Sequence, residues 1–140
     1  MQLYRVNCTI EGDDLYALKD GRFQFLRSSE TAPLMGGFNS DGMHHVLAEN
    51  KLAGFLQSLD LDQVTFQPAV LWNRKADEEV HTHTLISIGR CLEASQIEDI
   101  ELDGYQLCFL HSNRYSGINV SSSLKDALEN EGFEYLQFDN

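Results

Sequence analysis

A chain of 140 residues with 22 acidic and 10 basic side chains, formally −12, repels nucleic acid and anionic membranes and attracts basic partners. Its apolar fraction of 42% supports the packed core of one domain spanning 1–140 and excludes global disorder. Cys8, Cys91 and Cys108 are scattered and form no CxxC pair, which argues against a disulfide framework; with no apolar leader in 1–7 and no run of membrane-spanning length, a cytoplasmic location is expected.

Alternation of Leu3, Arg5, Asn7 and Thr9 against Tyr4, Val6, Cys8 and Ile10 predicts a strand over 2–10. Two short strands, 15–18 and 23–26, flank an Asp20-Gly21 hairpin signal, so the N-terminal third reads as an antiparallel meander. The Gly-, Ser- and Asn-rich stretch 28–42 reads as a long loop. Residues 44–59 follow as a helical region, opened by His44-His45 and carrying Leu52, Phe55, Leu56 and Leu59 at i, i+3, i+4, i+7 spacing.

Val64 and Phe66 share one face of a strand that Pro68 ends or confines to a sheet edge. A charged loop at 73–79 precedes a strand over 80–88, and 93–104 is acidic and mostly irregular. Strands follow at 105–110 and 118–120. The closing helix is predicted to start with Ser123 as its cap, answered by Asp126, and to end at Gly132 in the left-handed conformation with Phe133 as its contact. Leu124, Ala127 and Leu128 face the core, and Leu136 and Phe138 share a strand face. This helix–strand unit resembles 52–67 in pattern, which suggests two helices on one sheet with pseudo-symmetry. The expected fold class is α+β, an antiparallel or mixed sheet with two main helices packed on it.

The chemistry-bearing residues are few. His81 and His83 would share a strand face, a spacing suited to zinc, with His111, Asp77 or a cysteine completing the set. The adjacent His44 and His45 diverge on a helix and read as one buried and one exposed ring. Cys108 lies in an apolar run and reads as a buried hydrophobe, not a nucleophile paired with His111. No catalytic, cofactor-binding or metal-binding residue is assigned, and no cofactor is expected.

The charge is uneven. Residues 1–92 carry 12 acids and 8 bases, whereas 93–140 carry 10 acids and 2 bases. Glu98, Asp99, Glu101 and Asp103 form the densest acidic group, with Asp77, Glu78 and Glu79 second; with Trp72 as an aromatic anchor they are the expected partner-binding residues. Tyr115 is a second aromatic near a loop; for it and for Trp72, core packing is the weightier reading beside that of an anchor.

The segments Val64–Val70, His83–Ile88 leading through Cys91-Leu92-Glu93, and Ile118–Glu129 resemble a bacterial family of immunity-protein-like domains linked to polymorphic-toxin loci, over about residues 63–138. The resemblance implies a non-enzymatic domain that neutralises a protein partner, a basic toxin domain; were that toxin a nuclease, occlusion or mimicry of nucleic acid would be the mechanism. It supplies no catalytic residue. The alternative is a small hydrolase or metal-dependent enzyme using His81, His83 and His111; a homodimer with no other partner is the third reading.

Overall fold

The computed structural model describes residues 3–26, 30–99, 103–113 and 115–139, with Glu98 and Asp99 described by backbone alone. The protein is α+β. Its strands are β1 Leu3–Cys8, β2 Leu15–Ala17, β3 Phe23–Phe25, β4 Leu34–Ser40, β5 Met43–Glu49, β6 Val64–Pro68, β7 Leu71–Asn73, β8 Glu78–Val80, β9 His83–Ile88, β10 Cys91–Glu93, β11 Leu107–His111, β12 Ser116–Ser121 and β13 Leu136–Asp139. Helix α1 is Asn50–Ser58, α2 is Ser122–Glu131, and Ala94–Asp99 is a short 3₁₀ helix. Three sheets form, ordered β10-β11-β12-β1-β13, β4-β5-β9-β6 and β2-β3-β7-β8.

The first two sheets are built on one plan. In the second, hairpin β4–β5 leads into α1, then edge strand β6, and β9 returns between β5 and β6. In the first, hairpin β11–β12 leads into α2, then edge strand β13, and the place of β9 is taken by β1 from the other end of the chain. The residues correspond at a constant offset of 72 from β5 through β6. Buried Leu52, Leu56 and Leu61 match buried Leu124, Leu128 and Phe133, and Val64 and Phe66 match Leu136 and Phe138. Even the pairing register agrees: Val64 opposes Ile88 and Phe66 opposes Ile86, as Leu136 opposes Cys8 and Phe138 opposes Val6. The repeated pattern in the sequence is therefore a structural repeat, one unit of which is completed by the N-terminal strand.

The helices arise from their apolar stripes and end alike. Leu52, Ala53 and Leu56 of α1 and Leu124 and Leu128 of α2 are buried in one core with Val46, Ile86, Val120 and Leu136. Just beyond each helix a residue takes a left-handed backbone, Asp60 at φ 53° and Gly132 at φ 90°. Each donates its N–H back to the helix, to Gln57 and Glu129 respectively. The cap of α2 is Ser121, not Ser123: its Oγ accepts from Leu124 N–H, and also accepts from Gln106 N–H at 3.0 Å while donating to the Gly104 carbonyl at 2.7 Å. Three adjacent serines left the choice to the tertiary partners.

Three other expectations are corrected. The N-terminal third is no meander: β2 pairs with β3, but β1 leaves them for β12 and β13. The loop expected at 28–42 contains β4 and the tight turn to β5. Asp41 and Gly42 both have positive φ, 54° and 76°, as a two-residue hairpin turn requires. His44-His45 therefore lie on strand β5, and the helix starts six residues later, at Asn50. Strand β5 is buried on both faces: Val46 and Ala48 point into the core shared with the helices, and Leu47 into a second core with Phe23, Phe25, Met35 and Leu71 of the small β2-β3-β7-β8 sheet. A strand covered on both sides loses its alternation and reads as an apolar run.

If the two units are equivalent, Leu52→Ala and Leu124→Ala should each lower the unfolding free energy by about 3 kcal/mol, because each deletes a fully buried side chain. Gly132→Ala should cost about 1 kcal/mol through its left-handed backbone. Urea midpoints check all three; an unaffected Leu52→Ala would remove the equivalence.

Candidate functional site

Four of the expected partner-binding residues meet on the β7–β8 hairpin. Trp72 of β7 pairs with Glu79 of β8, Asn73 with Glu78, and Asp77 closes the turn at φ 51°. Trp72 is half-buried. Its Nε1 donates to Asp77 Oδ1 at 3.3 Å, and the Arg22 guanidinium lies 4.4 Å above the ring. Arg22 also bonds Asp20 at 2.8 Å and approaches Glu79 at 3.6 Å. Its hydrogen bonds, first from the backbone N–H of Arg22, hold the Asp20 carboxyl below its ordinary range. Arg22 went unnoticed in the sequence because 50 residues separate it from Trp72; the parallel pairing of β3 with β7 joins them. With exposed Arg74 and Lys75 in the same turn, this corner is mixed in charge.

Asp103 is exposed just before β11; Glu98 and Asp99 lie in the 3₁₀ helix, and Glu101 lies outside the described residues. A further set of acids lies on α2 and just past its end: Asp126 and Glu129 are one turn apart on the helix, and Glu131 and Glu134 follow at its exit. Asp126, Glu129, Glu131 and Glu134 are all exposed, and Lys125, paired with Glu129, is the basic residue beside them. Asp126 and Glu129, in a segment read only as framework, are exposed one turn apart, as their i, i+3 spacing could have revealed.

The histidines do not assemble. His81 is exposed and lies between β8 and β9, so it does not share a strand face with His83. His83 is buried with both nitrogens bonded: Nε2–H donates to the Ala32 carbonyl at 2.7 Å, and Nδ1 accepts from Thr82 Oγ1 at 2.8 Å. His111, on β11 of another sheet, bonds Ser116 Oγ at 2.7 Å. No group of three or more His, Cys, Asp or Glu suited to a metal occurs among the described residues. Cys108 is fully buried, and desolvation raises its thiol to about 11. Tyr115 carries the Arg5 guanidinium 4.5 Å from its ring centre and is half-buried, a contact at a sheet surface and not the core position expected.

His44 is buried and stacks on Phe109 at 3.9 Å. Its Nδ1–H donates to Asn39 Oδ1 at 2.8 Å, since a carbonyl oxygen can only accept. Burial, and then the charge of neighbouring His45, hold its pKa below the ordinary 6.5. His45 is half-buried, bonded to Ser87 and to the Ser40 carbonyl.

No helix among the described residues is long and apolar enough to cross a membrane. No family model, curated protein or solved structure matches the chain.

Two outcomes follow from these environments. Iodoacetamide at pH 8 should modify exposed Cys91 in the native protein and reach Cys108 only on unfolding, as peptide mass mapping would register. Below pH 6.5 the unfolded chain protonates His44 where the folded chain resists, so its contribution to stability is lost as pH falls from that value. The pH dependence of the urea midpoint between 7 and 5.5 should flatten in His44→Gln; an unchanged slope would contradict the buried neutral ring.

Proposed function

We propose that the protein is a non-enzymatic binding domain of the immunity type, which neutralises a basic toxin domain by covering it with an acidic surface. The observation that carries this reading is the position of the carboxylates on α2. A helix is stabilised by acids at its N-terminus and bases at its C-terminus, each by about 0.3–1 kcal/mol. Helix α2 has neither an acid in its first turn nor a base in its last, and Glu129 and Glu131 lie at its C-terminal end, followed by Glu134. These charges oppose the helix dipole, and although Glu129 is paired within the helix with Lys125, the dipole does not account for Glu131 and Glu134. Complementarity to a basic partner does, and it would raise the association rate.

The β7–β8 hairpin supports the same reading in a different way. Trp72, held between Arg22 and Asp77, is a preorganised aromatic edge with charges of both signs around it, the kind of group that anchors an interface. Asp103 extends the acidic area at the start of β11. The enzyme alternative is less well supported, because His83 already spends both ring nitrogens on Ala32 and Thr82.

Co-purification with the basic product of an adjacent toxin gene tests the proposal. The complex should weaken as salt rises, and Asp126→Lys with Glu134→Lys should weaken it by about tenfold or more, corresponding to about 1.4 kcal/mol. Trp72, the chain's one tryptophan, supplies the fluorescence readout if the hairpin is at the interface. No complex with such a product, or a complex indifferent to both substitutions and to salt, would refute the acidic-surface reading.

A further inference from the structure

The repeat is most regular where it builds the core, and the first strand of its opening hairpin differs between the two units. In the second unit β11 runs beside β12 without interruption from Leu107 to His111. In the first unit the pairing of β4 with β5 slips between Met35 and Phe38, where Gly36 and Gly37 form a bulge. Gly36 has φ 74°, a conformation that favours glycine. Bulges that re-aim a strand are common beside binding sites.

This bulge borders a cleft of about 510 Å³ between the two units, within the range of roughly 300–1,000 Å³ usual for small-molecule sites. Equivalent positions of the repeat face it from both sides: Val46 and Ile118, and His44 and Ser116. With Val6, the aliphatic pair makes an apolar floor, and Phe109 stacked on His44 makes an aromatic wall. No Asp, Glu, Lys or Arg is among the described residues that line it.

His44 presents an acceptor to this cleft that no described protein group meets. With the proton on Nδ1 committed to Asn39, His44 Nε2 carries a lone pair, and no described residue donates to it. His44 is only 8% exposed as a residue, and its Nε2 opens on the cleft rather than being sealed from solvent. Gly37 keeps the approach clear: a Cβ there would lie 3.5 Å from both Cε1 and Nε2 of His44. A ligand that brings an N–H to this acceptor keeps the lone pair satisfied as it displaces water from the apolar floor, whereas one without a donor covers the lone pair and leaves it unpaired.

We propose that the cleft between the two units binds a small, uncharged, planar ring compound that donates an N–H to His44 Nε2. The unpartnered acceptor sets the N–H, the aromatic wall and apolar floor set the planar ring, and the lack of ionised lining sets the absence of charge. The site is separate from the acidic surface of α2 and does not depend on a protein partner.

Titration of ¹⁵N-labelled protein with indole and with benzimidazole, each beside its N-methyl derivative, tests this. At least one parent compound should produce saturable amide shifts at Gly36, Gly37, His44 and Phe109. The methylated form should bind about tenfold more weakly, the effect of covering the acceptor without supplying it a donor. His44→Phe, which keeps the ring stack, and Gly37→Ala, which covers Nε2, should each reduce parent binding to the methylated level. The proposal is overturned if neither parent binds, if the shifts lie outside the cleft, or if methylation leaves affinity unchanged. The methyl comparison uses the unaltered protein, so it stands even if a variant fails to fold.

Discussion

The fold depends on the first strand reaching the last two. Strand β1 has to find β12 and β13 on the order of 100 residues away, a closure costing about 4 kcal/mol in chain entropy. What repays it is a complete second unit: Val6 opposite Phe138, Cys8 opposite Leu136, and Tyr4 opposite Val120. Arg5 and Asn7 add polar contacts to Asp139, at 3.5 and 2.7 Å. Without β1, β13 would have no neighbour, β12 would lose one side of its ladder, and the core would open along Val120 and Leu136. Such long-range pairing makes this a slow step in folding.

Once closed, the two units share one core, and their helices contribute matching leucines to it. Tyr135 joins them further, its hydroxyl donating to Glu49 Oε1 at 2.7 Å; burial first, and this carboxylate second, hold the phenol well above its ordinary range. The small β2-β3-β7-β8 sheet covers part of the outer face of β4-β5-β9-β6, so that β5 is buried on both sides. In the first unit hairpin β7–β8 is inserted between β6 and β9; the corresponding junction in the second unit is where the chain's two ends lie. The most distinctive surface features of the protein are thus additions to the repeat, the hairpin bearing Trp72, or departures from it, the Gly36-Gly37 bulge.

Much of the fold was legible along the sequence, in proportion to how far local chemistry decided each element. The match of 124–138 to 52–66 was visible because both segments carry leucines at helical spacing and then alternate. Gly132 was legible as a helix end, and Pro68 as the end of an edge strand. The turn at Asp41-Gly42 carries the same signal as Asp20-Gly21, but it was lost among neighbouring Gly, Asn and Ser residues. The strand around Val46-Leu47-Ala48 was concealed by burial on both faces. Of the surface, the Asp77–Glu79 cluster was readable as charge. The role of Arg22 beneath it was not, since that depends on a parallel pairing between distant strands.

By itself the sequence determined composition-level and local facts: a strongly acidic α+β chain, two similar helix–strand units, and three cysteines unlinked to one another. These follow from charge, periodicity and turn chemistry, which act over a few residues. Only the tertiary structure decided that β1 completes the C-terminal unit, that Ser121 rather than Ser123 caps α2, and that His83 is satisfied while His44 keeps a free acceptor. Each of those outcomes depends on which distant group comes within hydrogen-bonding or pairing distance, and that is fixed by closure of the whole chain.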